Sequence, residues 1–192
     1  MQKKLALKYY WVIVVMSIVA AIGANNLVII SNIASFSKAY QDAAGTLYAM
    51  KFWQLLLYSG LLMPVLEELI FRALLFRVLR KWLPFWASML TTSLAFGLYH
   101  GNLVQFVYAS VLGCLLAFLY EKYGSIFAAI LAHMCMNVTA CIMTEYGWIQ
   151  WMTQNIVFFI GITTICSVIT VVAILYVQKL DVTKMLKNDC KQ

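Results

Sequence analysis

An apolar run from Leu55 to Phe76 contains two adjacent carboxylates and a guanidinium, in Pro64-Val-Leu-Glu-Glu-Leu-Ile-Phe-Arg72. A charged side chain in hydrocarbon costs at least ~2.5–3.5 kcal/mol on insertion scales, so three within six residues must be neutralised or used. Helix geometry supplies one neutralisation. Glu68 and Arg72 are four apart and meet on one face. Glu67 is rotated about 100° from Glu68 and is the carboxylate left over. An unpaired carboxylate in a low-dielectric site is a candidate general base. The same residues could instead form an ion-pair cluster that only pins two helices.

Composition says what surrounds this stretch. Of 192 residues, 64% are hydrophobic and 11% charged, far from the ~25% charged of soluble domains. The chain reads as an all-α integral membrane protein, a single domain over 1–192 with a core near 52–143. The net charge of +7 does not point to nucleic acid, because the basic residues fall in short clusters between apolar runs. The five cysteines lack CxxC spacing and read as small packing residues.

Six spans are expected. The first is Tyr9 to about Ala24, resuming at Leu27–Ile30. It follows Lys3, Lys4 and Lys8, and its continuation argues for an uncleaved span over a signal peptide ending near Ala24. Residues 31–49 read as a loop or interfacial helix. The second span starts near Phe52, where Pro64 removes a backbone hydrogen bond and is expected to kink the helix, and it ends at Arg77, Arg80 and Lys81. The others are Phe85–Tyr99, Leu103–Tyr120, Ser125–Met143 with Ser125 as cap, and Asn155–Val177. Residues 121–124 read as a tight turn. Residues 145–154 form an aromatic interfacial connection. With both termini inside, eleven basic residues fall on inner segments and two, Lys38 and Lys51, on outer ones. The positive-inside rule therefore sets an N-in, C-in topology. No inverted repeat of transporter type is apparent.

The two histidines also lie in or beside apolar runs, as Phe96-x-x-x-His100 and His133-x-x-x-Asn137. Each pair is i,i+4 and shares a helix face. A lone intramembrane histidine is more often a helix–helix hydrogen bond. Two such pairs beside a Glu-Glu-x-x-x-Arg cluster supply a base for water, a partner for it and donors for an oxyanion.

Together, Glu67-Glu68-x-x-x-Arg72, Phe96-x-x-x-His100 and His133-x-x-x-Asn137 resemble the three motifs of the CPBP family, the CAAX proteases and bacteriocin-processing (Abi) enzymes. The resemblance runs from Pro64 to Asn137. Its linking stretches, His100-Gly-Asn-Leu-Val-Gln105 and Tyr120-Glu-Lys-Tyr-Gly-Ser125, look like bacterial members. Ala73 departs from the Gly that many members carry after the arginine. The resemblance implies an intramembrane endopeptidase in a bacterial cell membrane, acting on a peptide or membrane-protein substrate, with bacteriocin processing or self-immunity as the implied setting. Glu67 would activate water, and His100 would hold it. His133 and Asn137 would donate to the oxyanion, and Arg72 would pair with Glu68. Phe96 would pack. The implied reaction is metal-free and needs no cofactor; if a divalent metal were bound, Glu67, His100 and His133 would be its ligands. The chain has no His-Glu-x-x-His. The alternatives are a non-catalytic bacteriocin-immunity protein and a small proton-coupled transporter using Glu67 and Glu68.

These roles require Glu67, His100, His133 and Asn137 to share one cavity, expected to open toward the inner leaflet. Straight-helix counting puts Glu67 ~22 Å from the outer end of its span and His133 ~12 Å from the inner end of its own. It puts His100 ~22 Å from the inner start of its span, ~10 Å too far out to meet them.

Overall fold

The computed structural model describes residues 9–180. Among these the chain is helical throughout, with short connections and no strand. Helix α1 is Tyr10–Ser31. A 3₁₀ turn, Ile33–Phe36, leads to α2, Lys38–Tyr48. Helix α3 runs unbroken over 52–79. Helix α4 is Phe85–Tyr99, α5 is Leu103–Tyr123 and α6 is Ile126–Glu145. A short α7, Trp148–Thr153, precedes α8, Ile156–Lys179. The protein is an all-α membrane protein. Four helices, α1, α5, α6 and α8, are long and apolar enough to cross a membrane.

The remaining two expected spans take other forms. Helix α4 has 15 residues and reaches only ~22 Å, short of a ~30 Å hydrocarbon core. Helix α3 crosses the required length but changes its winding twice. It is π-helical over Leu56–Leu62 and again over Leu69–Phe76. Between these lies the α-helical segment Met63–Glu68, which carries both carboxylates. Pro64 therefore disturbs the ladder through a wider turn upstream of it.

Two details differ from the sequence reading, the end of α5 and the cap of α6. Residues 121–123 stay in α5, which ends at Gly124 in the left-handed conformation (φ 60°). A glycine there ends a helix without the steric cost of a Cβ, so the turn begins later than the charged pair suggested. Ser125 makes no side-chain cap bond. Residues 38–48 and 148–153 are helical. Asn155 caps α8 by accepting from Val157 and Phe158 N–H, and Ser37 Oγ caps α2 by accepting from Tyr40 N–H.

The core lies between α1, α5, α6 and α8. Ile13, Met16 and Ala21 meet Leu116, Leu119 and Val177, with the alanines Ala128 and Ala132 letting the backbones approach. A buried hydrogen bond from Asn26 Nδ2 to Thr163 Oγ1 at 3.0 Å joins α1 to α8. At one end, Arg80 pairs with Glu121 at 2.9 Å and Lys122 Nζ donates to the Gln178 carbonyl at 2.8 Å. The last turns of α3, α5 and α8 are thereby gathered at one end of the bundle, with the basic residues Arg77, Arg80, Lys122 and Lys179. Four cysteines, Cys114, Cys135, Cys141 and Cys166, are free thiols, as their sequence setting suggested. Cys190 and the lysines at 3, 4, 8, 184, 187 and 191 lie outside the described residues.

Helices α4 and α5 form a hairpin closed by His100-Gly101-Asn102. His100 ends α4, and Gly101 takes φ 71°. Asn102 Oδ1 then accepts from Gln105 N–H at 2.9 Å to start α5. The two helices touch at Gly97, where a Cβ would come within 2.5 Å of the Phe106 carbonyl oxygen. Gly97→Ala should therefore cost ~1–3 kcal/mol by overpacking. Thermal unfolding in detergent measures it against Gly161→Ala, whose added Cβ meets nothing within 4 Å. Equal melting temperatures would show that the hairpin does not depend on this contact.

Candidate active site

The Glu68–Arg72 pair forms as helix spacing predicts, at 2.9 Å with both side chains fully buried. Arg72 Nη2 also donates to the Gly113 carbonyl on α5 at 3.1 Å. Its guanidinium carbon stands 4.7 Å from the centre of the Phe96 ring. A Cβ at Gly113 would come within 3.1 Å of Arg72 Nη2, so the absent side chain is what lets the arginine reach that carbonyl. Sequence reasoning missed Gly113. A lone glycine within an apolar helix was the available signal for a close approach.

His133 bridges the two carboxylates, a contact the sequence reading did not assign. Its Nδ1 donates to Glu68 Oε1 at 2.8 Å, and its Nε2 lies 3.5 Å from Glu67 Oε2. One imidazole thus joins the two carboxylates. Glu68 Oε1 accepts from both Arg72 and His133 and fixes the imidazole tautomer, as a buried carboxylate does in other hydrolytic sites. Charge counting gives a further result. Arg72 and Glu68 cancel. Glu67 and His133 form a neutral unit when they share one proton across the Nε2–Oε2 contact. The four groups can therefore be buried without net charge, as low-dielectric surroundings require.

His100 Nδ1 donates to the Phe96 carbonyl one turn back, at 2.9 Å. This leaves Nε2 as the free acceptor. The bond turns the ring back toward the start of α4. Phe96 is nearly fully buried and receives the edges of both imidazoles, with ring centres 4.9 Å away for His100 and 5.6 Å for His133. It acts by packing, as expected.

Asn137 has a structural task that sequence reasoning did not assign. In the first π-helical stretch, Met63 N–H donates to the Tyr58 carbonyl, five residues back. The next bond in that register would run from residue 64 to Ser59, and proline has no N–H. Asn137 Nδ2 donates to that Ser59 carbonyl instead, at 2.8 Å. This leaves one amide hydrogen and Oδ1 of Asn137 for other partners.

Glu67, His100, His133 and Asn137 all line one cavity of about 310 Å³. Glu68 and Arg72 do not line it and stand behind it. The wall also includes Tyr40 and Tyr48 of α2. None of the basic residues gathered at the ends of α3, α5 and α8 contributes. The cavity thus occupies the half of the bundle opposite the basic end. The expectation of an inner-leaflet opening is at odds with this, because Glu67 and His133 mark the floor of the cavity and the walls extend from them toward α2.

The set that would hold a divalent ion does not fit one. Among the described residues, no three His, Cys, Asp or Glu side chains gather as a ligand group. His133 presents its nitrogens to two carboxylates, and His100 turns Nδ1 to a backbone carbonyl.

Residues 49–139 match the family model of the Rce1-like type II CAAX prenyl endopeptidases. A Bacillus subtilis (strain 168) protein named "Putative membrane peptidase YdiL" is 34% identical over 89 residues, covering 46% of this chain and 36% of the relative. The match thus spans about a third of that relative's length. No solved structure matches.

Removing one side of a buried pair leaves an unpaired charge and costs ~3–5 kcal/mol. Arg72→Ala should lose that much. Arg72→Ala with Glu68→Gln should lose less than the sum of the single changes. A double-mutant cycle on unfolding in detergent reads the coupling, and strict additivity would show that the two side chains do not interact.

Proposed function

We propose that this chain, whose residues 49–139 match the Rce1-like type II CAAX prenyl endopeptidase model, is a CPBP-type intramembrane endopeptidase in which Glu67 activates the hydrolytic water. The observation that carries the reading is the meeting of Glu67, His100, His133 and Asn137 on one cavity. The free Nε2 of His100 accepts from the water and orients it. Glu67 takes the water's proton, and the hydroxide attacks the peptide carbonyl. The oxyanion receives the remaining amide hydrogen of Asn137, and the proton taken up by Glu67 is shared with the unprotonated Nε2 of His133. An oxyanion donor of this kind is worth ~2.7–4 kcal/mol in other hydrolases. Glu67 returns its proton to the amine as the C–N bond breaks. Glu68 and Arg72 do not touch substrate; they hold His133 in its tautomer and keep the cluster neutral.

The substrate class is a peptide or a membrane-protein segment, with bacteriocin processing or self-immunity in a bacterial cell membrane as the setting. A proton relay through Glu67, His133 and Glu68 is a poorer account. Glu68 and Arg72 are sealed at 0% exposure, so a proton passed along that chain has no exit.

Glu67→Gln should lower turnover at least ~100-fold while leaving the fold intact. The measurement compares membrane proteomes and released peptides from cells carrying wild type or the variant. Cleavage retained in the variant would rule out the glutamate mechanism. Loss of cleavage with full protection against a bacteriocin would assign immunity to binding alone.

A further inference from the structure

The wall of the cavity beyond the reacting groups has its own chemistry. Apart from Glu67 and the two histidines, none of its residues is ionised at neutral pH. It is built from tyrosines, Phe96, alanines, aliphatic side chains and Met63, with Asn25, Gln105 and Asn137 as amides, the Ser59 hydroxyl and the Cys141 thiol. A charged side chain entering it would find no countercharge except Glu67. Burying such a charge unpaired is strongly unfavourable. An acidic side chain would also face Glu67 itself, and a basic one would pair with Glu67 and occupy the base.

Size adds a second restriction. The cavity offers about 310 Å³, room for a few side chains of an extended segment, whose alternate residues reach the same face ~6.6 Å apart.

Direction adds a third. Arg80 and Glu121, and Lys122 and Gln178, tie the basic ends of α3, α5 and α8 together, and no residue there lines the cavity. The opposite end is covered by α2, which has no fully buried residue of its own yet lends Tyr40, Ala43, Ala44, Leu47 and Tyr48 to the wall. Basic ends face the cytoplasm.

We infer that the cavity is the subsite for an extended, uncharged peptide segment that enters beneath α2 from the extracytoplasmic face. The inference rests on the endopeptidase reading for what happens to that segment, but its test reads binding. Ala44→Cys, or Ala43→Cys should the first fail to fold, places a thiol on the wall. In whole cells a membrane-impermeant maleimide should label it above the background of the native cysteines. In nanodiscs, with Glu67→Gln added so that cleavage does not intrude, peptides capped at both ends should protect it. Peptides with a central Ala-Leu should protect at concentrations at least tenfold lower than those with Ala-Asp or Ala-Lys. Equal protection by charged and neutral peptides, no protection by any, or labelling only in inverted vesicles would each overturn the inference. The endopeptidase reading fails by a different result, equal peptide release by wild type and Glu67→Gln, which the binding pattern can survive.

Discussion

A single oxygen, Glu68 Oε1, accepts from Arg72 at 2.9 Å and from His133 at 2.8 Å. Without it the arginine would be a bare charge beside an aromatic ring, and the imidazole would lose the partner that sets its tautomer. Through Arg72 the same carboxylate reaches the Gly113 backbone on α5, and through His133 it reaches α6. Three helices are therefore registered on one buried anion. Charge-assisted bonds are roughly twice as strong as neutral ones, and water cannot compete for an oxygen at this depth. Glu67 is oriented only secondarily, by the far nitrogen of an imidazole already held in place.

The helix that supplies this anion is built unevenly. The segment that carries both carboxylates is ordinary α-helix, flanked by two wider π-helical stretches. Such stretches are rare and gather at functional sites. Here one reason is visible. Pro64 cannot extend the wider register, the Ser59 carbonyl is left over, and Asn137 closes the gap from α6. Pro64 thus works as a stop that ties α3 to α6 beside the two carboxylates.

Much of the architecture could be read from residue order alone, since apolar runs broken by basic clusters leave few alternatives in a bilayer. The boundaries of α4 came out as read, because Pro84 and His100-Gly101 punctuate it. Glu68–Arg72 was legible because both partners lie on one helix at a fixed spacing. The place of His133 was not, since its two partners come from another helix 65 residues earlier and helix periodicity carries nothing about contacts between helices. The task of Asn137 depended on a change of winding that no local propensity announces. The sharing of Phe96 between two imidazoles depended on a ring folding back along its own helix.

The π-helical stretches also affect how the chain can vary over time. Each contains about one residue more than an α-helix of the same length would hold. Deleting a residue from Leu56–Leu62 would tighten the winding there and leave Met63–Glu68 facing α6 as before. The length of α3 on either side of its carboxylates is thus free to drift by one residue. Related chains aligned on their glutamates would then show gaps inside a continuous helix, where gaps are normally taken as errors.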